Sequence, residues 1–255
     1  MSIITIFNQK GGVGKTTTAV NLTAALARRG RNPYCIDLDP QAQFSAISGV
    51  HAADGDATVL SLFQRNRPLR ELIVSTNNGG SIIPAHLELS KVDTLFGKGY
   101  NVVNRLNTAL RAERFADEAY PVLIDCSPLI GVLVLNAIFA SHGVIIPVSA
   151  DHLSARAALQ TEKTLKALEV VLKRRVPRRY LMTRFDTRRR MAWEVHQMLD
   201  EKCGAEVCRT RIAENVSLAE SPAHSMTVFQ HAPSSRGAQD YDALLDELLA
   251  DGFIV

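Results

Sequence analysis

A glycine-rich stretch that ends in a lysine and threonines lies near the start of the 255-residue chain, at residues 8–17, NQKGGVGKTT. Gly14, Lys15 and Thr16 have the spacing of the phosphate-binding pattern G-x-x-x-x-G-K-[ST], although Gln9 occupies the place of its first glycine. Glycines let backbone N–H groups curl around phosphates, and the following helix directs its positive end at them. Lys15 is then expected to reach the β- and γ-phosphates of a nucleotide, and the Thr16 hydroxyl to ligate Mg²⁺.

Acidic residues follow two other apolar runs. Asp37 lies within the run at 34–38 and Asp39 directly follows it. Asp125 directly follows the apolar run at 122–124. With Pro121, this run supplies the four apolar residues before the aspartate of a Walker B pattern, which predicts that Asp125 holds Mg²⁺ through water. A lone aspartate after a strand is more often a turn or helix cap. The prediction for Asp125 therefore depends on its position after a core strand downstream of the phosphate loop.

The chain alternates short apolar runs with longer amphipathic stretches. Strands are predicted at 3–7, 34–38, 81–83, 122–124, 144–148 and 180–185, with a further short edge strand near Val207. Helices are predicted at 16–29, 87–96, 102–115, 129–140, 155–173, 188–202 and 240–249. Uniformly apolar strands between helices indicate an α/β fold, a doubly wound and mostly parallel sheet flanked by helices, in a single domain over 1–255. Such sheets bind ligands at the carboxyl ends of their strands, where these motifs lie.

Composition limits the function classes. The chain is 46% hydrophobic and 22% charged, its net charge is +3, and its four cysteines lack metal-ligand spacing. The N-terminus does not resemble a signal peptide and no apolar run would span a bilayer, so a cytoplasmic protein is expected. Residues 173–190 hold nine Lys or Arg and one Asp. Such a segment either binds a polyanion or forms solvated helix ends, and composition alone leaves both open.

The loop from Lys10 to Thr17 resembles the deviant Walker loop of the ParA/MinD group of ATPases. The resemblance implies that Lys10 crosses the interface of an ATP-bound homodimer and touches the partner subunit's phosphates, next to the catalytic Lys15. It also implies ATP and Mg²⁺ as cofactors. The nucleotide-binding residues it implies in the loop are Lys10, Gly11, Gly12, Val13, Gly14, Lys15, Thr16 and Thr17.

Other segments extend the resemblance along nearly the whole chain. Residues 37–41, DLDPQ, resemble the DxDPQ element, which implies that Asp39 positions the attacking water and Asp37 helps hold the Mg²⁺ shell. After Asp125 the group usually has DxPP, and Ser127 departs from it. Residues 181–186, 218–222 and 234–241 resemble three further elements of ParA proteins, of which the last is the closing element. The first two lie near the adenine in that group, which implies that Met182 and Pro222 contact the base.

Within this group, DNA partition is favoured over membrane association. The resemblance implies an ATP-bound, nucleoid-associated dimer that binds DNA non-specifically and is released by a cargo-linked activating protein through slow hydrolysis. The alternative is a MinD-like membrane-associated ATPase, but the C-terminal stretch 241–255 is acidic and an anionic bilayer would repel it. ParA relatives often carry two arginines where this chain has Glu214 and Ser217. The DNA-binding candidates are therefore Arg188, Arg189, Arg190, Lys202, Arg209 and Arg211.

Overall fold

The computed structural model describes residues 2–97, 99–115 and 120–255, and within these ranges seven strands form one sheet. The strands are β1 (Ile3–Ile6), β2 (Tyr34–Leu38), β3 (Val74–Ser75), β4 (Ser81–Ile83), β5 (Val122–Cys126), β6 (Gly143–Ser149) and β7 (Arg178–Thr183). Their order across the sheet is β3-β4-β2-β5-β1-β6-β7, and only the short β3 pairs antiparallel to its neighbour. The carboxyl ends of six parallel strands therefore meet at one edge.

Helices cover both faces of this sheet. They are α1 (Lys15–Arg28), α2 (Gln43–Ile47), α3 (Leu60–Arg65), α4 (Val92–Phe96), α5 (Tyr100–Val103), α6 (Arg105–Ala112), α7 (Val132–Ala140), α8 (His152–Leu172), α9 (Arg190–Cys203), α10 (Val216–Glu220), α11 (Val228–His231) and α12 (Arg236–Ala250). Neighbouring residues of one strand point to opposite faces, so Ile3 belongs to one apolar cluster and Ile4 to the other. This confirms the predicted doubly wound α/β fold.

Several element boundaries differ from the prediction. The short strand β3 lacks a recognisable apolar pattern and was not predicted, and Val207 makes an isolated bridge to Tyr180 instead of an edge strand. The helix predicted at 87–96 begins as a 3₁₀ helix, Leu87–Lys91, before it continues as α4. The helix predicted at 102–115 is two helices, α5 and α6, which meet at Asn104.

The basic segment 173–190 does not form one surface, because β7 runs through its middle. Lys173, Arg174 and Arg175 precede the strand at the amino edge of the sheet, whereas Arg188–Arg190 follow it at the carboxyl edge. Arg178, inside the strand, is 2% exposed and donates hydrogen bonds to the carboxylates of Glu162, at 2.8 Å, and Glu169. A buried and paired guanidinium cannot contact a polyanion, so this part of the segment is structural.

Candidate functional site

The phosphate loop joins the end of β1 to the start of α1. Gly12 and Gly14 have φ of 74° and 87°, the left-handed region that glycine adopts without a steric cost. Gly14 precedes the first residue of α1, and its carbonyl accepts the first intrahelical hydrogen bond from Thr18 N–H at 2.9 Å. The first N–H groups of α1 therefore point without intrahelical partners toward the concave side of the loop, where a phosphate would bind.

Lys15 begins α1 and turns back into the loop. Its side chain is 7% exposed, and its Nζ donates a hydrogen bond to the carbonyl of Lys10 at 3.0 Å. Burial lowers the pKa of Lys15, while the nearby carboxylates of Asp125 and Asp39 oppose that shift. A partly desolvated ammonium group in a ring of backbone N–H donors is arranged to bind an anion.

Asp125 lies at the end of β5, directly opposite Thr16. The Thr16 hydroxyl donates a hydrogen bond to Asp125 Oδ2 at 2.7 Å, while Asp125 Oδ1 is buried with no hydrogen-bond partner. Burial and the neighbouring charge of Asp37 raise the pKa of Asp125. A buried carboxylate oxygen without a partner is costly, and hard oxygen ligands of this kind suit Mg²⁺. The residues present therefore fit the metal that the sequence predicts.

Asp37 is held by hydrogen bonds within its own chain. Its Oδ1 accepts the N–H of Asp39 at 3.0 Å, and its Oδ2 accepts both the N–H and the hydroxyl of Ser45, at 2.9 and 2.7 Å. Both oxygens are thus engaged within the chain, and the side chain is completely buried. Asp37 therefore fixes the loop that carries Asp39, and its place in the Mg²⁺ shell stays a prediction.

Asp39 stands partly exposed at the rim of the site. Its Oδ1 accepts the N–H of Gln41 at 3.0 Å, and its Oδ2 has no partner among the described residues. The local turn fixes the carboxylate, since an aspartate that bonds its own backbone two residues ahead has little rotational freedom. One oxygen remains available to accept a hydrogen bond from a water molecule near the phosphates.

Lys10 contacts its own chain in this structure. Its Nζ lies 2.8 Å from Asp151 Oδ1 and 2.8 Å from Ser154 Oγ. Asp151 is the N-cap of α8 and accepts the N–H of Ser154 at 2.9 Å. Partial burial alone would raise the pKa of Asp151, but hydrogen bonds from Lys10 and Ser154 outweigh it and hold the pKa at about 2. The charge of Lys10 is therefore satisfied locally.

A buried asparagine that sequence reasoning missed sets the start of this loop. The side chain of Asn8 donates to the carbonyl of Pro147 at 2.7 Å and accepts the N–H of Lys10 at 3.1 Å. It ties the loop to β6, the strand that leads to Asp151. The only signal in the sequence is a polar residue directly after an apolar strand, which does not distinguish this role from a solvated one.

A cavity of about 420 Å³ opens beside the loop, between Gly14 and the segment 212–222. Pro222 and Thr183 line it, and the Thr183 hydroxyl also donates to the carbonyl of Val13 at 2.9 Å. Met182 does not line it, because its side chain is completely buried in the core on the other side of the strand. The next two residues, Thr183 and Arg184, line the cavity instead, and the contact of Met182 with the base stays a prediction.

The six DNA-binding candidates do not form one patch. Arg188 and Arg190 have side chains 87% and 93% exposed, near the start of α9. Arg189 pairs with Asp186 and Glu214. Lys202 lies about 18 Å further along α9, at 1.5 Å per residue. Carboxylates also engage Arg188 and Arg190, which pair with Asp186 and Glu194. Arg209 lies near Glu247 and Asp251, and Arg211 stacks on Phe185 and Trp193.

Comparison with known proteins identifies the family. A family model described as an AAA domain matches residues 1–177. The chromosome-partitioning ATPase Soj of Thermus thermophilus is 39% identical, over 97% of this chain and 95% of its own length. The chromosome partitioning protein ParA of Myxococcus xanthus is 32% identical, over 97% of this chain and 87% of its own length. The chain belongs to the Soj/ParA family of ATPases.

A solved structure that contains a nucleotide and a metal ion is also similar to this chain. Cobyrinic acid a,c-diamide synthase of Mycobacterium smegmatis, with bound ADP and magnesium, has a TM-score of 0.84 and 26% sequence identity. The alignment covers 99% of this chain and 96% of the synthase. The phosphate loop and the unpartnered oxygen of Asp125 in this ParA-family chain fit the same kind of ligands, an adenine nucleotide and Mg²⁺.

Asp125→Asn is expected to separate metal binding from the geometry of the ParA loop. The amide oxygen can still accept the Thr16 hydroxyl, but a neutral group no longer attracts Mg²⁺. Mg²⁺–ADP at about 100 times its Kd stabilises the wild type by about 2.7 kcal/mol, which is roughly 5–10 °C in Tm, and should stabilise the variant far less. Thermal unfolding with and without the ligand measures this, and equal shifts in both proteins would exclude Asp125 as the metal-holding residue.

Without nucleotide, Asp125→Asn should be more stable than the wild type, and the difference should depend on pH. The folded pKa of Asp125 lies above its unfolded value of about 3.9. Stability from its neutral form is fully present below the unfolded pKa and is lost as the pH rises through the raised folded pKa. Asparagine does not titrate, so Asp125→Asn should gain stability over the wild type as the pH rises from about 4 toward 8. A constant difference over that range would show that this carboxyl group is not destabilised by burial.

Proposed function

We propose that this chain is a single-domain partition ATPase that dimerises around ATP and Mg²⁺, binds DNA non-specifically as a dimer and is released when a cargo-linked partner stimulates hydrolysis. The cargo is DNA or a large protein assembly. The observation that carries the proposal is the position of Lys10, at the rim of a complete phosphate loop in a chain 39% identical to the partition ATPase Soj. Lys15 already provides the lysine contact to the phosphates that its own chain binds, so Lys10 is not needed for that contact.

Exposed apolar side chains around the loop support a second copy as the partner in dimerisation. Leu129, Leu153 and Val216 are 78%, 66% and 69% exposed, and each follows the carboxyl end of a strand or bridge at the edge that carries the nucleotide site. Single exposed apolar residues are common, but three at one edge form a surface that gains from being covered. A two-fold pair that meets at this edge would bring each Lys10 toward the other subunit's phosphates.

The chemistry follows from the positions of the charged groups. Bound Mg²⁺ supplies charge neutralisation and orientation of the phosphates. Lys15 holds the β- and γ-phosphates, and the free oxygen of Asp39 accepts a hydrogen bond from the attacking water and aligns it. Lys10 of the second subunit adds positive charge where negative charge develops as the γ-phosphate leaves. Before it can do so, Lys10 must leave Asp151, which makes dimerisation a condition for fast turnover.

The start of α9 is the favoured DNA surface. Three consecutive arginines at a helix N-terminus are unfavourable with respect to the helix dipole, and an anion placed there relieves that repulsion. The side chains of Arg188 and Arg190 are 87% and 93% exposed, more than those of Arg189 and Arg209, at 61% and 76%. Contacts with phosphates alone require no base reading, so binding should be independent of sequence and strongly dependent on salt.

The double variant Arg188→Ala/Arg190→Ala tests the DNA surface. Each lost phosphate contact should lower the slope of log K against log salt concentration by about 1 and weaken binding at all sequences alike. The measurement is an ATP-dependent gel shift over a salt series. Arg65→Ala removes an exposed arginine that pairs with Asp56 elsewhere, and is the matched control. Binding by the double variant equal to that of the control would place the DNA surface elsewhere.

The membrane alternative has less support. In the part of the chain that the structure describes, every helix is too short or too polar to cross a lipid bilayer. The terminal helix α12 carries Asp242, Asp246 and Glu247 and has no basic residue in its last turn. Sedimentation with anionic liposomes in the presence of ATP distinguishes the two outputs, since capture by liposomes without DNA binding would favour the membrane function.

A further inference from the structure

A second cavity, of about 470 Å³, lies at the amino edge of the sheet, opposite the phosphate loop. It is bounded by the first residue of β1, by the residues before β6 and β7, and by the last turns of α6 and α7. We name this cavity the amino-edge basin. No step of nucleotide binding, hydrolysis or dimerisation proposed above involves this edge.

The lining of the amino-edge basin is basic. Arg111, His142, Arg174 and Arg175 contribute to it, and no Asp or Glu is among the described residues that line it. Arg175 pairs with Glu206 outside the lining. Within residues 2–97, 99–115 and 120–255, neither Arg111 nor Arg174 forms an ion pair with a carboxylate. Most of the arginines of segment 173–190 other than Arg174 have such a partner, so Arg174 is unusual among them.

Arg174 is fixed in place by backbone acceptors. Its Nη2 donates to the carbonyl of Ser141 at 2.7 Å and to that of Phe139 at 3.4 Å, which caps the end of α7. Capping engages only one nitrogen of the guanidinium group, whose planar fork offers five N–H donors. Burial, together with the nearby Arg111, lowers the pKa of Arg174. Two like charges held together without a described counter-ion favour an external anion.

His142 adds a neutral donor to this pair. Its Nδ1 accepts the N–H of Ile3 at 3.1 Å, which leaves the proton of the neutral ring on Nε2. Burial and the charge of Arg174 lower the pKa of His142, so the ring is neutral near pH 7. The backbone contact of His142 fixes the ring orientation, as that of Arg174 fixes its guanidinium group, so both donors are held before any ligand binds.

We propose that the amino-edge basin is a second anion site, which binds a phosphate group through Arg111, Arg174 and the Nε2–H of His142. A phosphate group suits these donors because its several oxygens accept both forked guanidinium bonds and single N–H bonds. Two sources share this chemistry: the phosphodiester backbone of DNA and a free phosphorylated small molecule. The inference goes beyond the proposed function, since it needs neither the phosphate loop nor the start of α9.

Inorganic phosphate and NMR of the histidine rings test the site directly. The wild-type protein is first saturated with Mg²⁺–ADP so that the phosphate loop is filled, and phosphate is then titrated at constant ionic strength. The Cε1–H signal of His142, identified by its loss in His142→Gln, is expected to shift in a saturable way. Arg111→Ala should weaken this binding by about tenfold, the effect of one charge-assisted hydrogen bond. Arg65→Ala, also an arginine in the last turn of a helix, should leave it unchanged.

The titrations decide whether the phosphate site exists and which kind of ligand fills it. If a short DNA duplex shifts the same signal, the DNA backbone is the source, and if only inorganic phosphate does, a free phosphorylated ligand is. An unchanged His142 signal in both titrations would overturn the proposal, as would binding by Arg111→Ala as tight as by Arg65→Ala. The proposed function is tested separately, because Arg188→Ala/Arg190→Ala should lose DNA binding and keep the phosphate-dependent shift of His142.

Discussion

Lys15→Ala is expected to weaken ATP binding by roughly 30- to 5,000-fold and to abolish ATP-dependent dimerisation. The ammonium group is almost completely buried against the loop, where it would form a charge-assisted hydrogen bond to the phosphates. Truncating one partner of such a buried charged pair costs about 2–5 kcal/mol, which gives the stated range in Kd. Isothermal titration calorimetry measures the affinity, and light scattering after size-exclusion chromatography measures dimerisation.

Lys10→Ala is the matched control for this loop. It removes a lysine from the same loop but keeps Lys15, so it should still bind ATP as a monomer and fail to form a fast-hydrolysing dimer. Folding of both variants is checked by circular dichroism. Loss of Lys15 should not destabilise the nucleotide-free protein, because burial lowers the pKa of this group and so disfavours its charged form. ATP binding and dimerisation by Lys15→Ala at wild-type level would contradict the loop assignment.

Asp39→Ala is expected to bind ATP and dimerise while turnover falls by about 100-fold or more. Removing the carboxylate deletes the acceptor that aligns the water, a contribution of about 10²–10⁴ in rate for groups of this type. The phosphate contacts of Lys15 remain, so nucleotide affinity should change little. Steady-state phosphate release measures turnover, and chromatography in ATP should show a dimer that outlives the wild-type dimer.

Asp39→Asn separates the chemistry from the structure of the turn. Its amide oxygen can still accept the N–H of Gln41, which holds the turn in place, but it is a weaker base than a carboxylate. Both variants should therefore lose turnover if Asp39 positions the water. Normal hydrolysis by Asp39→Asn with loss only in Asp39→Ala would assign Asp39 a purely structural role.

The sequence predicts the parts of the site that are contiguous along the chain. The phosphate loop depends on local glycine geometry, and β2 and β4 have the predicted bounds because each is an apolar run with clear ends. The carboxyl-edge positions of Asp39 and Asp125 follow from the parallel sheet, since each comes directly after an apolar strand. These features need no knowledge of distant contacts.

Contacts between distant parts of the chain are not predictable in the same way. Lys10 and Asp151 are 141 residues apart in the chain, and no local pattern signals that they pair. Asp37 binds Ser45 through a loop whose path the sequence does not define. The side chain of Met182 lies in the core and that of Thr183 lines the cavity, because neighbouring side chains of a strand point to opposite faces.

The placement of the basic segment 173–190 was likewise not predictable from the sequence. Its charge is evident in the sequence, but its division between two edges of the sheet depends on where β7 begins. The strand begins at Arg178 and not at Tyr180, so Arg178 enters the core to pair with Glu162 and Glu169. Composition alone cannot separate a buried ion pair from a surface that binds a polyanion.

A crystal structure of Asp39→Ala with Mg²⁺–ATP tests the central claim most directly, because that variant should hold the ATP-bound state. The account predicts a two-fold dimer in which Lys10 has left Asp151 and lies within hydrogen-bonding distance of the partner subunit's phosphates, with Asp125 at the metal. A nucleotide-bound dimer in which Lys10 still contacts Asp151 of its own chain would contradict it.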